Sequence, residues 1–303
     1  MKKASNILLS LFSLIIFLCI LEAMARLYCH CFNIEFGSAN KTFPETDNHI
    51  RFDSALGWSL KANYNNKNIQ TNSLSLRSSI QDLDSRCKTN ERILLLGDSM
   101  LFGYGIEQQY IFSEILNRRF PNDCFINTGV EGYSTVQEYL VASQWIKKLH
   151  PTKIVLLYTQ ENDMWWNMRD GDFNPSVSLL ADSLNFHPPH KTHKIPYYKR
   201  LAFYSVLDQY FLHGRDLTYI YQKISFQLFK ENASVWLATE KVLQKIVVLS
   251  NQTNSKLILI DIPTQNQLSY GQDLDERQHL LQEFSERNGL YYYNLSQYLI
   301  HDT

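Results

Sequence analysis

The stretch that decides the fold is Arg92-Ile93-Leu94-Leu95-Leu96-Gly97-Asp98-Ser99. A continuous apolar run of this kind is typical of a buried parallel strand. Functional residues in open α/β sheets collect at the carboxyl ends of such strands, so Ser99 lies where a nucleophile is expected. Gly-Asp-Ser alone is a weak motif, because turns are rich in these residues.

The rest of the chain alternates strand and helix patterns after this first strand. Strands are predicted at 125–128, 153–158, 256–260 and 290–293, and helices at 110–119, 136–149, 234–249 and 274–288. Such alternation predicts an α/β fold with a parallel sheet of about five strands and helices on both faces. All strands then end at one edge of the sheet.

Length and charge exclude some classes of function. The 303 residues carry 29 Lys+Arg and 30 Asp+Glu, a formal net charge of -1. Without a basic excess, nucleic acid is not an expected partner. No cofactor or bound metal is predicted.

The N-terminus has the pattern of an export signal. Lys2 and Lys3 precede an apolar run over 7–21. Ala23-Met24-Ala25 also resembles a cleavage site, so two interpretations stay open: an uncleaved signal anchor in the cell membrane, which we favour, or a secreted protein cleaved at Ala25. Either way, the remaining chain is expected outside the cytoplasm, in the periplasm or the extracellular space.

The sequence predicts three regions. Residues 1–25 are the anchor or signal peptide, 26–90 a polar membrane-proximal extension, and 91–303 the main domain. A long irregular insertion rich in aromatic residues is expected at 164–232. Trp165 and Trp166 open this insertion, and one of them is expected at the rim of the site.

Two cysteines are candidates for a disulfide. Cys87 precedes the first strand and Cys124 opens the next. If the two strands are parallel neighbours, both cysteines lie at the same end of the sheet, and export favours their oxidation. The alternative is two free buried cysteines.

Two further strand ends carry polar residues that suit ester hydrolysis. Gly132 follows the second strand and Asn162 the third. An ester hydrolase needs a nucleophile and donors aimed at the developing oxyanion. The backbone N–H groups of Ser99 and Gly132 and the amide of Asn162 are candidates for those donors.

Gly97-Asp98-Ser99, Gly132 and Asn162, in this order, resemble the first three sequence blocks of the SGNH/GDSL hydrolases. Further residues resemble the bacterial membrane-anchored type: Leu56-Gly57-Trp58, Asn72-Ser73, Arg77, and Glu22 with Arg26. The resemblance implies a three-layer flavodoxin-like sandwich that hydrolyses esters of lipids or glycans. It implies Ser99 as nucleophile, with Gly132 and Asn162 completing the oxyanion hole.

The chain departs from the family in two places. The third block opens with Gln160 instead of glycine, and no Asp-x-x-His sequence follows Leu290, so the general base has no expected position. The substitutes considered are His301, the pair Asp275 and His279 on one helix, and a histidine cluster. The cluster comprises His187, His190 and His193, for which metal binding, a lid or partner surface, and a solvated loop are the alternatives.

Three functional readings follow. The first is an exported esterase acting on acyl or acetyl esters of envelope glycans or lipids. The second is a truncated or degenerate member of the family without effective turnover, which serves as a binding protein. The third is a scaffold that uses the aromatic insertion as an interaction surface. The membrane is an expected partner through the N-terminal segment.

Overall fold

The structure is a computed structural model of the chain. It describes residues 2–31, 36, 40–43, 48–87, 91–159, 163–164, 166–168, 173–181, 183–195, 197–207, 233–263 and 275–299. The chain divides into two compact units, one formed by 1–42 with 192–231 and the other by 43–191 with 232–303.

The secondary-structure elements are numbered here along the chain. The strands are β1 (Asn40–Thr42), β2 (Ile50–Asp53), β3 (Gly57–Leu60), β4 (Glu91–Leu96), β5 (Asp123–Asn127), β6 (Lys153–Thr159), β7 (Ser176–Leu180), β8 (Ser183–His187), β9 (Thr192–Lys194), β10 (Lys256–Ile262) and β11 (Tyr291–Asn294). The α-helices are α1 (Lys2–Cys31), α2 (Leu83–Arg86), α3 (Ser99–Phe102), α4 (Phe112–Arg119), α5 (Thr135–Leu149), α6 (Ala202–Leu207), α7 (Ala233–Gln252), α8 (Asp275–Arg287) and α9 (Ser296–Leu299).

The larger unit is built on a five-stranded sheet in the order β11-β10-β6-β4-β5. All four pairings are parallel. If the five strands are numbered 1 to 5 along the chain, starting with β4, and the sheet is read from the β5 edge, the order is 2-1-3-4-5. This is the order of flavodoxin-like folds, whose ligands bind where the strand order reverses. That point lies between β4 and β6. The predicted α/β fold with a parallel sheet of five strands flanked by helices is confirmed.

Strand β4 is covered on both faces, which accounts for its apolar sequence. Leu94 and Leu96 pack into the core that includes α5 and α7, whereas Ile93 and Leu95 pack into the core on the other face with Leu101. Successive side chains of a strand point to opposite faces, and both faces of this strand are covered. Its four apolar residues are almost fully buried.

The disulfide predicted from the strand pattern is confirmed. Cys87 and Cys124 are bonded, and their Cα atoms are 5.4 Å apart. Cys87 ends the short helix α2, and Cys124 pairs with Arg92 in the sheet. The bond therefore joins the segment before β4 to the neighbouring strand.

The prediction that 164–232 is wholly irregular is wrong. An antiparallel hairpin forms from β7 and β8. The same region contains β9, α6 and two 3-10 turns, Trp166–Met168 and Tyr197–Arg200. The strands are short and carry serine and asparagine among their apolar residues. Their alternation is therefore too weak to separate them from loop sequence.

The smaller unit contains α1, β1, β9 and α6. Helix α1 runs to Cys31, beyond the predicted end of the anchor at Ala25, so it includes Cys29 and Cys31. One span in the described part of the chain, Leu8–Cys31, is long and apolar enough to cross a membrane, with a mean hydropathy of 2.5. Strand β1 pairs with β9 in antiparallel register.

Candidate active site

Ser99 is the first residue of α3, directly after the carboxyl end of β4. The Asp98 side chain caps this helix by accepting a hydrogen bond from the Met100 amide at 2.9 Å. Ser99 is half-buried while Asp98 is fully buried. The serine backbone N–H thus lies at a helix N-terminus, which carries partial positive charge.

Two glycines allow α3 to pack closely against its neighbours. A Cβ on Gly97 would lie 2.9 Å from the Leu101 Cβ and 3.2 Å from the Leu157 carbonyl oxygen. A Cβ on Gly129 would lie 2.6 Å from the Phe102 amide nitrogen. Contacts this short are not tolerated, so both positions require glycine. The loop after β5 therefore approaches the backbone of α3 directly.

Asn127 holds the carboxyl end of β5 against α3, the helix that follows β4. Its side-chain amide donates to the Leu101 carbonyl at 3.0 Å and to the Ser113 hydroxyl at 3.1 Å, while its oxygen accepts from the Gly129 amide. The side chain is 2 % exposed, so these hydrogen bonds are shielded from water. The loop that carries Gly132 is thereby tied to the helix that begins with Ser99.

Gly132 adopts a left-handed backbone conformation with φ of 74°. The hairpin of β2 and β3 holds this turn from one side. The Trp58 indole N–H donates to the Glu131 carbonyl at 2.9 Å, and the Tyr133 hydroxyl donates to the Trp58 carbonyl at 2.7 Å. Burial raises the pKa of Tyr133, so its hydroxyl stays protonated and keeps donating. The turn is thus fixed on both sides of Gly132.

His49 joins the Gly132 turn to α3. Its Nε2 lies 2.9 Å from the Glu131 carboxylate, and its ring stacks on Phe102 with 5.4 Å between the ring centroids. Phe102 is one helical turn beyond Ser99 and is fully buried. The extension before the sheet therefore contributes directly to the support of the site.

Arg77 closes the other end of α3. Its guanidinium donates to the carbonyls of Phe102 and Gly103 at 2.9 and 2.8 Å. It also donates to the carbonyls of Asn68 and Ile106 at 2.8 and 2.6 Å. Burial lowers the pKa of Arg77 to about 10, so the group is still charged at neutral pH. One buried cation thus holds the last turn of the serine helix and the loop after it.

The carboxyl end of β6 meets Asp98. The Thr159 hydroxyl donates to the Asp98 carboxylate at 3.2 Å, and the Thr159 amide donates to the Asp163 carboxylate at 2.7 Å. Asn162, the third predicted oxyanion donor, lies outside the described residues, as do Gln160 and Trp165. Its flanking residues Thr159 and Asp163 are buried beside Asp98. The role of Asn162 stays a prediction.

Two further buried carboxylates lie close to Asp98. Glu138 is 1 % exposed, and neither of its carboxylate oxygens has a hydrogen-bond partner among the described residues. Burial raises its pKa well above the ordinary glutamate value, and the charge of Asp98 raises it further. Burial and the charges of Glu138 and Asp98 likewise raise the pKa of Asp163. Proton uptake by this group of acids lowers the negative charge beneath the site.

Replacing Glu138 with glutamine tests this electrostatic arrangement. The folded chain holds the Glu138 proton more tightly than the unfolded chain does. The wild type is therefore expected to lose stability as the pH rises from the ordinary glutamate range towards the raised pKa. Glu138→Gln lacks this loss, so its thermal midpoint relative to wild type should rise between about pH 5 and about pH 8.

The size of that effect follows from burial of a charge without a partner. We expect a relative gain on the order of 1–3 kcal/mol in unfolding free energy at the higher pH. The exposed Glu283→Gln on α8 is the control and should show no such trend. A constant difference between Glu138→Gln and wild type across this pH range would contradict the raised pKa.

The histidines considered as substitutes for the base do not bond to Ser99. Among the described residues, no histidine is hydrogen-bonded to the Ser99 hydroxyl. His187 lies on β8, and its Nε2 is 2.7 Å from the Ser178 hydroxyl, while His190 is exposed. His279 is exposed on α8. His301 lies outside the described residues.

A metal site in the histidine cluster finds no support in the described part of the chain. There, no group of three or more histidine, cysteine, aspartate or glutamate side chains has metal-binding geometry. The side chain of His193 is outside that description. His187 is instead part of a hairpin. The lid or partner role of the cluster stays a prediction.

The structure places Gly97-Asp98-Ser99 where the motif resemblance implied. The motif ends the first strand of a sheet with flavodoxin-like order, and the loop that carries Gly132, from the neighbouring strand, packs against its helix. The flavodoxin-like sheet that the resemblance implied is therefore present.

Comparisons with known proteins were made by sequence and by structure. No protein-family model matches the chain, and no curated protein matches its sequence. Solved structures similar to this chain include three esterases. They are the acetyl xylan esterase AlAXEase (12% identity, TM-score 0.40, covering 69% of this chain and 80% of that chain), the psychrotrophic esterase EstA from Pseudoalteromonas sp. (13%, 0.37, 68% and 77%) and AlinE4, an SGNH-hydrolase family esterase (12%, 0.36, 67% and 75%).

Several residues that hold the Ser99 helix and the Gly132 turn were not given a role from the sequence. Asn127, His49 and Glu131 each act through contacts with residues distant in the chain. Asn167 is another: its side chain accepts from the Val136 amide at the start of α5 and donates to Thr239 on α7. For Asn127, the available sequence signal was an asparagine at the end of an apolar strand. Asn167 lies within the 3-10 turn Trp166–Met168 and had no such signal.

Proposed function

We propose that the protein is a membrane-anchored serine esterase that acts outside the cytoplasm on acyl or acetyl esters of envelope glycans or lipids. The observation that carries the proposal is the junction of Ser99 with the Gly132 turn. Asn127 and the close approach of Gly129 to α3 hold the two together. A nucleophile and an oxyanion donor must keep a fixed separation through the reaction, and this packing supplies that rigidity.

In the proposed reaction, the Ser99 hydroxyl attacks the ester carbonyl and loses its proton to a base. The bond between the carbonyl carbon and the alcohol oxygen then breaks, the alcohol leaves with a proton, and the acyl group stays on Ser99 as an acyl-enzyme. The developing oxyanion accepts hydrogen bonds from the backbone N–H groups of Ser99 and Gly132, with the Asn162 amide as the third donor. Water then releases the acid. The base that takes the Ser99 proton is unassigned among the described residues.

The surface next to Ser99 suits an ester with an apolar or sugar portion. Met100 and Tyr104 are 54% and 73% exposed, and the Tyr104 amide donates to the Ser99 carbonyl at 3.0 Å. An apolar portion of a substrate could pack on these exposed side chains. Aromatic side chains offer flat apolar faces with a polar end. Both features fit the proposed substrate classes.

Anchorage rests on α1. This helix exposes a continuous set of apolar side chains, from Leu8 to Leu27, that water would not stabilise. Lysines at its start favour a cytoplasmic N-terminus, which places the esterase unit on the other side of the membrane.

A second candidate function is a binding protein that keeps the fold but turns over no substrate. The observation in its favour is that no described histidine is hydrogen-bonded to Ser99. A serine hydroxyl without a base is a weak nucleophile. In this reading the junction of Ser99 and Gly132 would hold an ester or acid ligand without cleaving it.

A pair of glycine variants tests the esterase proposal. The full chain in detergent micelles is assayed with p-nitrophenyl acetate, comparing Gly132→Ala with Gly289→Ala. Both glycines have positive φ, 74° and 63°, so either alanine is strained by on the order of 1–2 kcal/mol. Gly289 follows α8 and has no proposed role in the reaction.

We expect Gly132→Ala to lower kcat/KM by on the order of 10–100-fold, since a misplaced oxyanion donor weakens transition-state binding. Gly289→Ala should retain the wild-type value. Equal losses in both variants would assign the effect to backbone strain alone. A wild-type rate no higher than that of buffer would overturn the esterase proposal in favour of the binding protein.

A further inference from the structure

Helix α1 is longer than a membrane is thick. Its 30 residues span about 45 Å, while the hydrocarbon core of a bilayer is about 30 Å. With Lys2 at the inner surface, about 20 residues reach the outer boundary of the hydrocarbon core, which places Glu22 there. The last turns of the helix, to Cys31, then lie at the level of the outer headgroups.

At the outer boundary of the hydrocarbon core, the Glu22 side chain is hydrogen-bonded to the insertion. Its two carboxylate oxygens each accept one backbone N–H at 3.0 Å, from Ala202 and from Phe203. Arg26 donates to the same carboxylate at 2.9 Å. An acidic side chain near the membrane core is costly unless it is paired and hydrogen-bonded. These three donors meet that need.

Apolar packing holds the same two segments together. Ala25, Cys29 and Ala202 are buried against one another, with Phe203 and Val206 partly buried around them. Met24 and Leu27, on other sides of α1, are 67% and 66% exposed. The insertion therefore covers one face of the helix and leaves the rest of its apolar surface open to lipid.

The covering segment has the side chains of a membrane interface. Tyr197 is 77% exposed at the start of the 3-10 turn Tyr197–Arg200, and Lys199 and Arg200 follow it. Tyrosines collect at the level of the headgroups, and basic side chains pair with anionic lipids. Tyrosine and basic side chains thus lie within a few residues of Ala202, which donates a hydrogen bond to Glu22.

We propose that segment 197–207 lies in the outer interface of the membrane beside α1, where it binds the boundary between lipid headgroups and acyl chains. The proposal rests on the anchorage part of the proposed function and not on the esterase reaction. The protein would then contact the outer leaflet through two elements, the spanning helix and this segment. Segments of this kind insert about 5–10 Å into the boundary region.

Fluorescence quenching in vesicles tests the proposal. The full chain is reconstituted into mixed phosphatidylcholine and phosphatidylglycerol vesicles and labelled with an NBD fluorophore at one cysteine. The first label site is the native Cys19 in the apolar run, with Cys31→Ser. The second is Tyr197→Cys in a chain that also carries Cys19→Ser and Cys31→Ser. Cys29 is buried, and Cys87 and Cys124 are bonded, so none of these reacts.

Lipids carrying a nitroxide near the headgroup or deep in the acyl chain serve as quenchers, and free NBD-cysteine in the buffer gives the aqueous baseline. We expect the label at 197 to be quenched within about twofold of the label at Cys19, and more by the shallow nitroxide than by the deep one. The label at Cys19 should show the opposite depth preference.

The two labels separate the possible failures. Quenching of Cys19 with only baseline quenching at 197 would overturn this proposal and leave the anchor in place. Baseline quenching at both sites would overturn the anchorage on which the proposal rests. Neither result depends on the esterase assay.

Discussion

Arg77→Met is expected to lower the unfolding free energy of the sheet-containing unit by on the order of 3–5 kcal/mol. The methionine fills a similar volume but donates no hydrogen bond. Four backbone carbonyls that now accept from the guanidinium, one of them fully buried and three partly buried, would be left without that donor. Hydrogen bonds to a charged group contribute about 1.5–3 kcal/mol each, and the four are not additive.

The same substitution should reduce catalysis as well as stability. Two of the four carbonyls, Phe102 and Gly103, end the helix that begins with Ser99. When their partner is lost, α3 and the following loop are free to shift, and Ser99 moves relative to the Gly132 turn. We expect kcat to fall with little change in KM, since ground-state binding does not require the reacting geometry.

Thermal melts of the full chain in detergent micelles measure the stability effect, and Arg287→Met is the matched control. Arg287 is exposed and pairs with Glu240 at 2.8 Å, a surface ion pair worth about 0–1 kcal/mol. Arg77→Lys keeps the charge but has fewer donors, so its loss of stability should be intermediate between those of Arg77→Met and Arg287→Met. A loss at Arg77→Met no larger than that at Arg287→Met would contradict the structural role assigned to Arg77.

The centre of the sheet could be predicted from sequence because β4 and β6 are buried on both faces. The runs 93–96 and 154–158 are continuously apolar, a pattern typical of a covered parallel strand. The intervening helices show one apolar stripe each, and Gly289 marks a helix end. The disulfide followed from the same reasoning, because the pairing of β4 with β5 sets Cys87 near Cys124.

The insertion could not be predicted in the same way. Strands β7 and β8 have only five residues each, and their polar and apolar residues do not alternate cleanly. The path of α1 to Cys31 was also missed, because its later residues include Arg26 and His30. In this part of the helix, Glu22 and Cys29 contact Ala202, more than 170 residues away, and no local pattern encodes that contact.

The site could be predicted only as far as its motif residues. Ser99 and Gly132 stand at strand ends, and the strand order brings those ends together. The residues that hold them, such as Asn127 and Arg77, act through buried contacts set by packing. No periodicity or local spacing encodes such contacts. The Asn162 role and the general base stay predictions from the family resemblance and the sequence.

Ser99→Ala is expected to reduce hydrolysis of p-nitrophenyl acetate to the rate of buffer, a loss of at least about 10³-fold if the protein is the esterase proposed. Alanine removes the hydroxyl but keeps the backbone N–H and the Asp98 cap, which bonds to the Met100 amide. The fold should therefore survive, with a thermal midpoint close to that of wild type. Ser183→Ala, at an exposed serine of β8 with no proposed role in the reaction, is the matched control and should retain the wild-type rate.

Covalent trapping of the serine tests the central claim most directly. A fluorophosphonate forms a bond between phosphorus and the oxygen of an activated serine, fluoride leaves, and the serine proton is lost to base or solvent. Intact-mass and peptide analysis of the full chain should show one phosphonyl adduct on the peptide that contains Ser99, and none in Ser99→Ala. A wild-type chain that carries no adduct, or carries it only on another residue, would contradict the assignment of Ser99 as the nucleophile.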